Sequence, residues 1–367
     1  MDINKEQLDI FINKIHNFKL DSSFQYGVVE LPIDLDRIKQ IQEIKDTGKH
    51  AGMTFTFSKP EYAGNSNKYE WANSAIVVAY NYMETSSYDT ISKPGYSRVA
   101  VFSSEDHYAP LRKEIEFIIE ALKKNKHQSK SFVDSSFHYD RLFFEEAGLG
   151  WQGKSTMMLS PGIGPWQLIG TIYTSKKFIA SSKSKQSCGD CNYCKIACPT
   201  GALNEDYVLD ANLCIAYWLQ SPKIIPRDFR IAIGDRLYGC DECLISCPPG
   251  QREIIFKSQD RNIDTVEFLL KSDQEILKEY ERFYIPKLDA SYLRRNALIA
   301  LANNPSYGAE TTFVKYIANP NPELVMYSIW CLWRISRIDL LNDYSHKIIA
   351  NNKIVQDEID WALKMPS

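Results

Sequence analysis

Eight of the chain's nine cysteines fall between Cys188 and Cys247, and this block constrains the fold more than any other feature. Cys188, Cys191, Cys194 and Cys198, followed by Pro199, form C-x2-C-x2-C-x3-C-P. In the bacterial ferredoxin run of this form, the first three thiolates hold one [4Fe–4S] cubane and the fourth ligates a second. Two-residue spacers let the chain wrap three corners of one cube, and the fourth thiolate leaves on a new helix toward the neighbouring cube. Cys240, Cys243 and Cys247, followed by Pro248, repeat the pattern with one ligand missing and three residues before the last cysteine. Cys214 can supply the missing ligand. The spacing thus assigns Cys188, Cys191, Cys194 and Cys247 to cluster 1, and Cys198, Cys214, Cys240 and Cys243 to cluster 2. C-x2-C pairs also suit zinc. The third cysteine of the run, the two C-P endings and the count of eight favour cubanes. Cys331 stands apart in an apolar helical pattern and reads as a small buried hydrophobe.

The rest of the composition is ordinary for a soluble globular protein: 367 residues, 44% hydrophobic, 24% charged, net charge −3. No overall positive field advertises a nucleic-acid partner. The first residues, MDINKEQLDIFINKIHNF, carry early acids and no apolar core before a small-residue cleavage site, which argues against an export signal. The longest apolar runs, Ala75–Tyr80 and Leu324–Trp333, fall short of the roughly 18 residues that span a bilayer. The expectation is a cytoplasmic, monomeric enzyme, with no membrane partner and with cysteines that bind metal rather than form disulfides.

Three domains are expected. Residues 1–178 mix helical and strand patterns. Lys5–Phe18, Asp34–Lys45, Tyr108–Lys124 and His138–Ala147 have helical spacing. Ser74–Asn81 is a buried-strand run, and Ser97–Phe102, Ser131–Asp134, Thr156–Leu159 and Trp166–Tyr173 are further strand candidates. Alternating strands and helices suggest an α/β domain. A polar linker, Ala180–Ser187, opens the ferredoxin-like module of residues 179–255. Residues 256–367 read as all-α. Tyr292–Ala302 and Glu323–Ile335, separated by Asn/Pro-rich turns, look like a short HEAT-type stack.

Two adjacent cubanes conduct electrons but choose no substrate, so the chemistry is expected in the domain before them. Three stretches carry a resemblance: FVDSSFHYDRLFFEEAGLGWQGKSTMMLSPGIGPW, CNYCKIACPTGAL and DRLYGCDECLISCP. Together they resemble the epoxyqueuosine reductases, cobalamin-dependent iron–sulfur enzymes of queuosine biosynthesis. The resemblance runs from about residue 70 to 250 and continues through RRNALIAL. It is most specific at AGLGWQGKST, where the family usually has AGLGWIGKNT. Ser155 in place of Asn and Pro165 in place of Ser are departures.

The resemblance implies an α/β domain that binds base-off cobalamin, with one cubane close to the corrin. It implies reduction of the epoxide of epoxyqueuosine to the alkene of queuosine at the wobble base of tRNA, with electrons from a low-potential donor. Asp134 is the implied proton donor, because an alkoxide is a poor leaving group. Burial would raise its pKa, and its other reading is a helix cap. Lys154, Ser155 and Thr156 are implied to bind corrin amide and phosphate groups. Gly148, Gly150 and Gly153 allow close approach of a flat ligand or a tight turn. Tyr96 and Ser97 occupy the place of a Tyr-Ala pair near the corrin, and Asp241, between two cluster ligands, either faces the cofactor or makes a turn. Basic patches that tRNA phosphates could use are Lys123, Lys124, Lys126 and Lys130; Lys176, Lys177, Lys183 and Lys185; Lys223, Arg227, Arg230 and Arg236; and Arg294 with Arg295. The rival reading is a reductive dehalogenase-like reductase of a small organic substrate, which shares the cofactors.

Overall fold

The computed structural model describes residues 6–17, 21–33, 38–55, 57–63, 66–83, 92–253, 262–344 and 352–365. The chain divides into two compact units, each discontinuous in sequence. The first comprises Met1–Ser87, Asp106–Leu213 and Glu242–Ile255, and the second Tyr88–Glu105, Cys214–Asp241 and Phe256–Ser367.

The first unit is built on a four-stranded sheet in the order Phe24–Glu30, Ser74–Asn81, Gln167–Thr174, Ser129–Val133. Every residue of Ser74–Asn81 is buried. A strand between two neighbours and covered on both faces has no solvent side, which explains its continuous apolar run. The helix Tyr108–Lys124 covers one face through Leu111, Ile115, Ile118 and Leu122. Gly170 admits that helix, because a Cβ there would meet Ile115 Cδ1 at 2.3 Å. A second cluster joins Phe143 and Phe144 of the helix Asp140–Glu146 to Val77, Ala79, Phe132 and Tyr173.

All three strand pairings in this sheet are antiparallel. This corrects the α/β expectation to a mixed fold with an antiparallel sheet. Periodicity marks a segment as a strand but carries no direction. The strand Phe24–Glu30, absent from the sequence reading, pairs directly with Ser74–Asn81 along its whole length. The helix expected over Asp34–Lys45 is seen as Ile38–Asp46, residues 34–37 lying outside the described ones.

The second unit has a small sheet in the order Arg236–Tyr238, Tyr96–Val99, Ile263–Asp264. Its remaining elements are helical. A capping box between Ser272 and Glu275 starts Asp273–Glu279. Asn321 caps Pro322–Arg334, with Pro322 in the first turn, where its missing N–H costs nothing. Leu298, Phe313, Tyr327, Trp330 and Cys331 pack together in its core. Cys331 donates to the Leu298 carbonyl at 3.2 Å and is fully buried, as its apolar surroundings implied.

A buried ion pair pins Lys353–Lys364 to this core. Glu358, 1% exposed, meets Arg230 at 2.8 Å and Arg227 at 2.9 Å. Glu358→Ala strands the 2%-exposed Arg230 guanidinium without a carboxylate. The expected cost is about 3–5 kcal/mol, read as a lowered thermal or urea midpoint of the cofactor-loaded protein.

Candidate cluster and cofactor site

Two short helices, Tyr193–Ala197 and Glu242–Ile245, lie against each other in the first unit and carry Cys194 and Cys243. Cys198 ends the first helix in extended conformation, and the Ala202 N–H donates to its sulfur at 3.3 Å. Such bonds tune a cluster's potential. The Cys247 thiol is pushed up to about 12, first by burial and then by Cys188, Cys194 and Cys191. Cys194 is raised by burial and by Cys188 and Cys191. Cys247 therefore sits in the electrostatic neighbourhood of the first three cysteines of the run, 53 residues beyond Cys194 in sequence. Of the second foursome, Cys198 and Cys243 belong to the first unit, and Cys214 and Cys240 to the second. Among the described residues no three His, Cys, Asp or Glu side chains converge on one point as a single ion requires. A cubane spreads its four thiolates over the corners of a cube.

Asp134 follows the strand Ser129–Val133 with φ of +48°, a left-handed conformation that Asp and Asn tolerate best among residues with a Cβ. The helix after it begins only at Asp140, its N-cap is Tyr139, and no side chain caps it. The helix-cap reading of Asp134 therefore falls. Asp134 is exposed at the surface, yet partial desolvation still raises its carboxyl pKa, with Arg112 opposing. The phenol of Tyr108 feels both Asp134 and Asp140. Asp140 and His138, 3.4 Å apart, went unnoticed in the sequence, where they read only as a helix start.

Trp151–Gln152 and Met158–Leu159 form a two-stranded hairpin whose turn is Gly153-Lys154-Ser155-Thr156. The glycines serve the chain's own packing, which corrects the reading of a ligand approach. A Cβ on Gly148 would lie 2.0 Å from the Ser182 carbonyl oxygen, and one on Gly150 would lie 1.9 Å from that of Leu159. Lys154 is buried and bound, at 3.2 Å to Asp206 and 3.3 Å to Asn192. Its bond to Asp206 holds the ammonium pKa above the ordinary value. Ser155 and Thr156 are also buried. Thr156, with φ of +67°, borders a cleft of about 520 Å³ lined also by Tyr139, Arg141, Trp151, Asp206 and Tyr207. The buried Trp151 Nε1–H has no hydrogen-bond partner among the described residues.

In the second unit Ser97 is fully buried and its hydroxyl bonds that of Thr265 at 2.6 Å, so its side chain faces the core. Tyr96 pairs with Asp264, and the Asn304 amide braces this loop through Lys93 O and Tyr96 O. Asp241 accepts from the Val101 N–H at 2.7 Å and so starts the 3-10 turn Val101–Ser103.

The Arg294–Arg295 patch is a correction. Arg295 is 1% exposed and donates to the carbonyls of Lys223, Trp218 and Ser221. Arg294 is held by Asp273 and by the Leu269 and Lys271 carbonyls. Arg230 and Arg236 are likewise buried. These guanidiniums stitch the core and are spent before any phosphate arrives. Lys123, Lys124, Lys126 and Lys130 are exposed in the first unit.

Among the described residues no helix is long and apolar enough to cross a membrane. Residues 187–250 match the family described as "4Fe-4S double cluster binding domain". An epoxyqueuosine reductase of Francisella cf. novicida (strain Fx1) is 31% identical over 253 residues, covering 64% of this chain and 70% of that protein. Two solved structures share the fold. An epoxyqueuosine reductase with an epoxyqueuosine-modified tRNA-Tyr stem loop superposes with TM-score 0.83 at 21% identity, over 98% of both chains. A Bacillus subtilis epoxyqueuosine reductase, its aspartate-bearing catalytic loop swung out of the active site, superposes with TM-score 0.82 at 20% identity, over 99% of both. A double-cluster cysteine block and a relative matched over most of its length converge on one family, and the chain belongs to the epoxyqueuosine reductases.

Proposed function

We propose that this chain reduces epoxyqueuosine to queuosine at the wobble position of tRNA, using cobalamin and electrons relayed through two [4Fe–4S] clusters. The observation that carries the reading is the 31% identity to an epoxyqueuosine reductase across 70% of that protein's length. The reaction consumes two electrons and two protons, opens the epoxide, leaves an alkene and releases water. A bound cobalamin would supply the two electrons to the epoxide as a pair.

The chain's own residues bind, orient and deliver protons. Cys188, Cys191, Cys194 and Cys247 hold one cluster, and Cys198, Cys214, Cys240 and Cys243 the other. The electrostatic grouping of Cys247 with the first three supports this set. Asp134 gives a proton to the epoxide oxygen as charge develops there. Its raised pKa keeps the acid form present at higher pH than an ordinary carboxyl. The cleft at Thr156 fits the amide-bearing edge of a corrinoid, because Trp151 offers an unused N–H and Tyr139 and Arg141 add donors. It is too small for the whole cofactor. Lys154 sets this turn through Asp206 rather than reaching outward. Tyr96 keeps a partly exposed side chain, whereas that of Ser97 is buried.

The test is anaerobic purification followed by turnover on epoxyqueuosine-containing tRNA. About eight iron and eight sulfide per chain are expected, as two four-iron cubanes require, with cobalamin bound on reconstitution. Stoichiometric zinc without iron overturns the cluster reading. Turnover of halogenated organics, with epoxyqueuosine-tRNA untouched, replaces the substrate by that of the dehalogenase-like alternative.

A further inference from the structure

Within electrostatic reach of Asp134 is a second carboxyl, Asp140, that the reaction as described does not use. Asp140 Oδ1 and His138 Nε2 face each other at 3.4 Å, and neither atom has a hydrogen-bond partner among the described residues. His138 is almost fully buried, stacked on Phe132 at 4.7 Å between centroids and packed against Phe143 at 4.4 Å. Its Nδ1 lies 3.5 Å from the Tyr173 hydroxyl. Burial holds the imidazole neutral, with its pKa lowered to about 3, so His138 offers an ionised Asp140 no positive charge.

We infer that Asp140 is the proton store of the Asp134 site: a carboxyl set against the buried His138 that refills Asp134 after each turnover. The inference rests on Asp134 being the acid. In the refilling step the Asp140 O–H bond breaks and an O–H bond forms on the Asp134 carboxylate; Asp140 then takes a proton from water. No electrons move.

The groups around the pair agree. Burial raises the Asp140 pKa well above the ordinary value, Asp134 adds to that, and Thr171 and Arg141 work against it. Arg112 opposes the rise at Asp134. Tyr108, on the helix packed across the sheet, feels both carboxyls and, with its own pKa raised, stays a neutral phenol between them. Tyr173 also feels Asp140 and stays neutral. The sign follows. A raised carboxyl pKa keeps the store full at neutral pH and empties it only as pH rises through that value. Removing the store therefore costs activity on the alkaline side, while at acid pH Asp134 refills from solvent.

The experiment pairs infrared spectroscopy of the cofactor-loaded protein with multiple-turnover pH profiles, in which Asp134 must be refilled between cycles. Wild type is expected to show a protonated-carboxyl band at neutral pH that persists in Asp134→Asn and is missing in Asp140→Asn. Asp140→Asn is expected to move the alkaline limb of the rate profile down by about one pH unit, about a tenfold loss at neutral pH, with Asp140→Glu restoring it. An Asp140→Asn profile that matches wild type overturns the proposal. So does a loss uniform across pH that Asp140→Glu leaves unrescued, which is the mark of a structural role. A missing band in wild type, with Asp134→Asn inactive, overturns the store alone. A fully active Asp134→Asn overturns the Asp134 reading beneath it.

Discussion

Asp134→Asn is expected to keep both clusters, bind cobalamin and tRNA, and reduce epoxyqueuosine about 10²–10⁴-fold more slowly than wild type. Asn is the right probe because of the backbone. At φ of +48°, Ala or Val would add strain that a rate measurement cannot separate from lost chemistry. Asn adopts the left-handed region as readily as Asp, keeps the size, and still donates and accepts hydrogen bonds. What it lacks is a proton to give up. The charge on the epoxide oxygen grows as the ring opens, and only a group that transfers its proton during that step lowers the barrier. The helix after Asp134 has Tyr139 at its N-cap, so Asn cannot exert its effect through a lost cap. The measurement is single-turnover reduction with iron and cobalamin content matched to wild type. Near-normal turnover in a loaded Asn variant removes Asp134 from the chemistry.

What the sequence reveals here is what is local. Ser74–Asn81 and Tyr108–Lys124 have the bounds read from the sequence, because each is a strong run of one period. The cysteine block is legible because thiolate spacing is set by the geometry of a cube rather than by distant packing. Direction and burial are not local. Nothing in Phe24–Glu30 says that it runs antiparallel to a strand more than forty residues on. Arg294 and Arg295 carry charge in sequence, as a phosphate-binding patch would. Only the fold shows Arg295 beneath three carbonyls from residues 218–223. Gly148 and Gly150 look like ligand glycines until Ser182 and Leu159 are found against them. His138 and Asp140 pass for the first turn of a helix, because Phe132, Phe143 and Tyr173, which desolvate them, gather only when the sheet forms. A carboxyl spaced six residues from the candidate acid, beside a histidine, was the available signal.

Cys247→Ala is expected to remove one cluster and leave the other, halving iron from about eight to about four per chain and abolishing turnover. The thiol is enclosed near Cys188, Cys191 and Cys194, and burial with those neighbours makes it a poor thiolate on its own. In the proposed cluster, iron would supply the positive charge that takes the proton's place. Alanine removes the fourth corner and leaves three thiolates around an open iron. The linear alternative assigns Cys198, the last member of the same run, to that corner. The two arrangements differ in which variants share a phenotype. With ligands exchanged between runs, Cys247→Ala and Cys188→Ala lose the same cluster, while Cys198→Ala and Cys214→Ala lose the other. Electron paramagnetic resonance of the reduced variants reads which cubane survives. Matching spectra for Cys247→Ala and Cys188→Ala, distinct from a matching pair for Cys198→Ala and Cys214→Ala, establish the exchange. A spectrum of Cys198→Ala that matches Cys188→Ala instead assigns each run to its own cube. In either case tRNA binding persists in variants that retain the fold, because losing a cube cuts the electron path without removing the surface that holds the substrate.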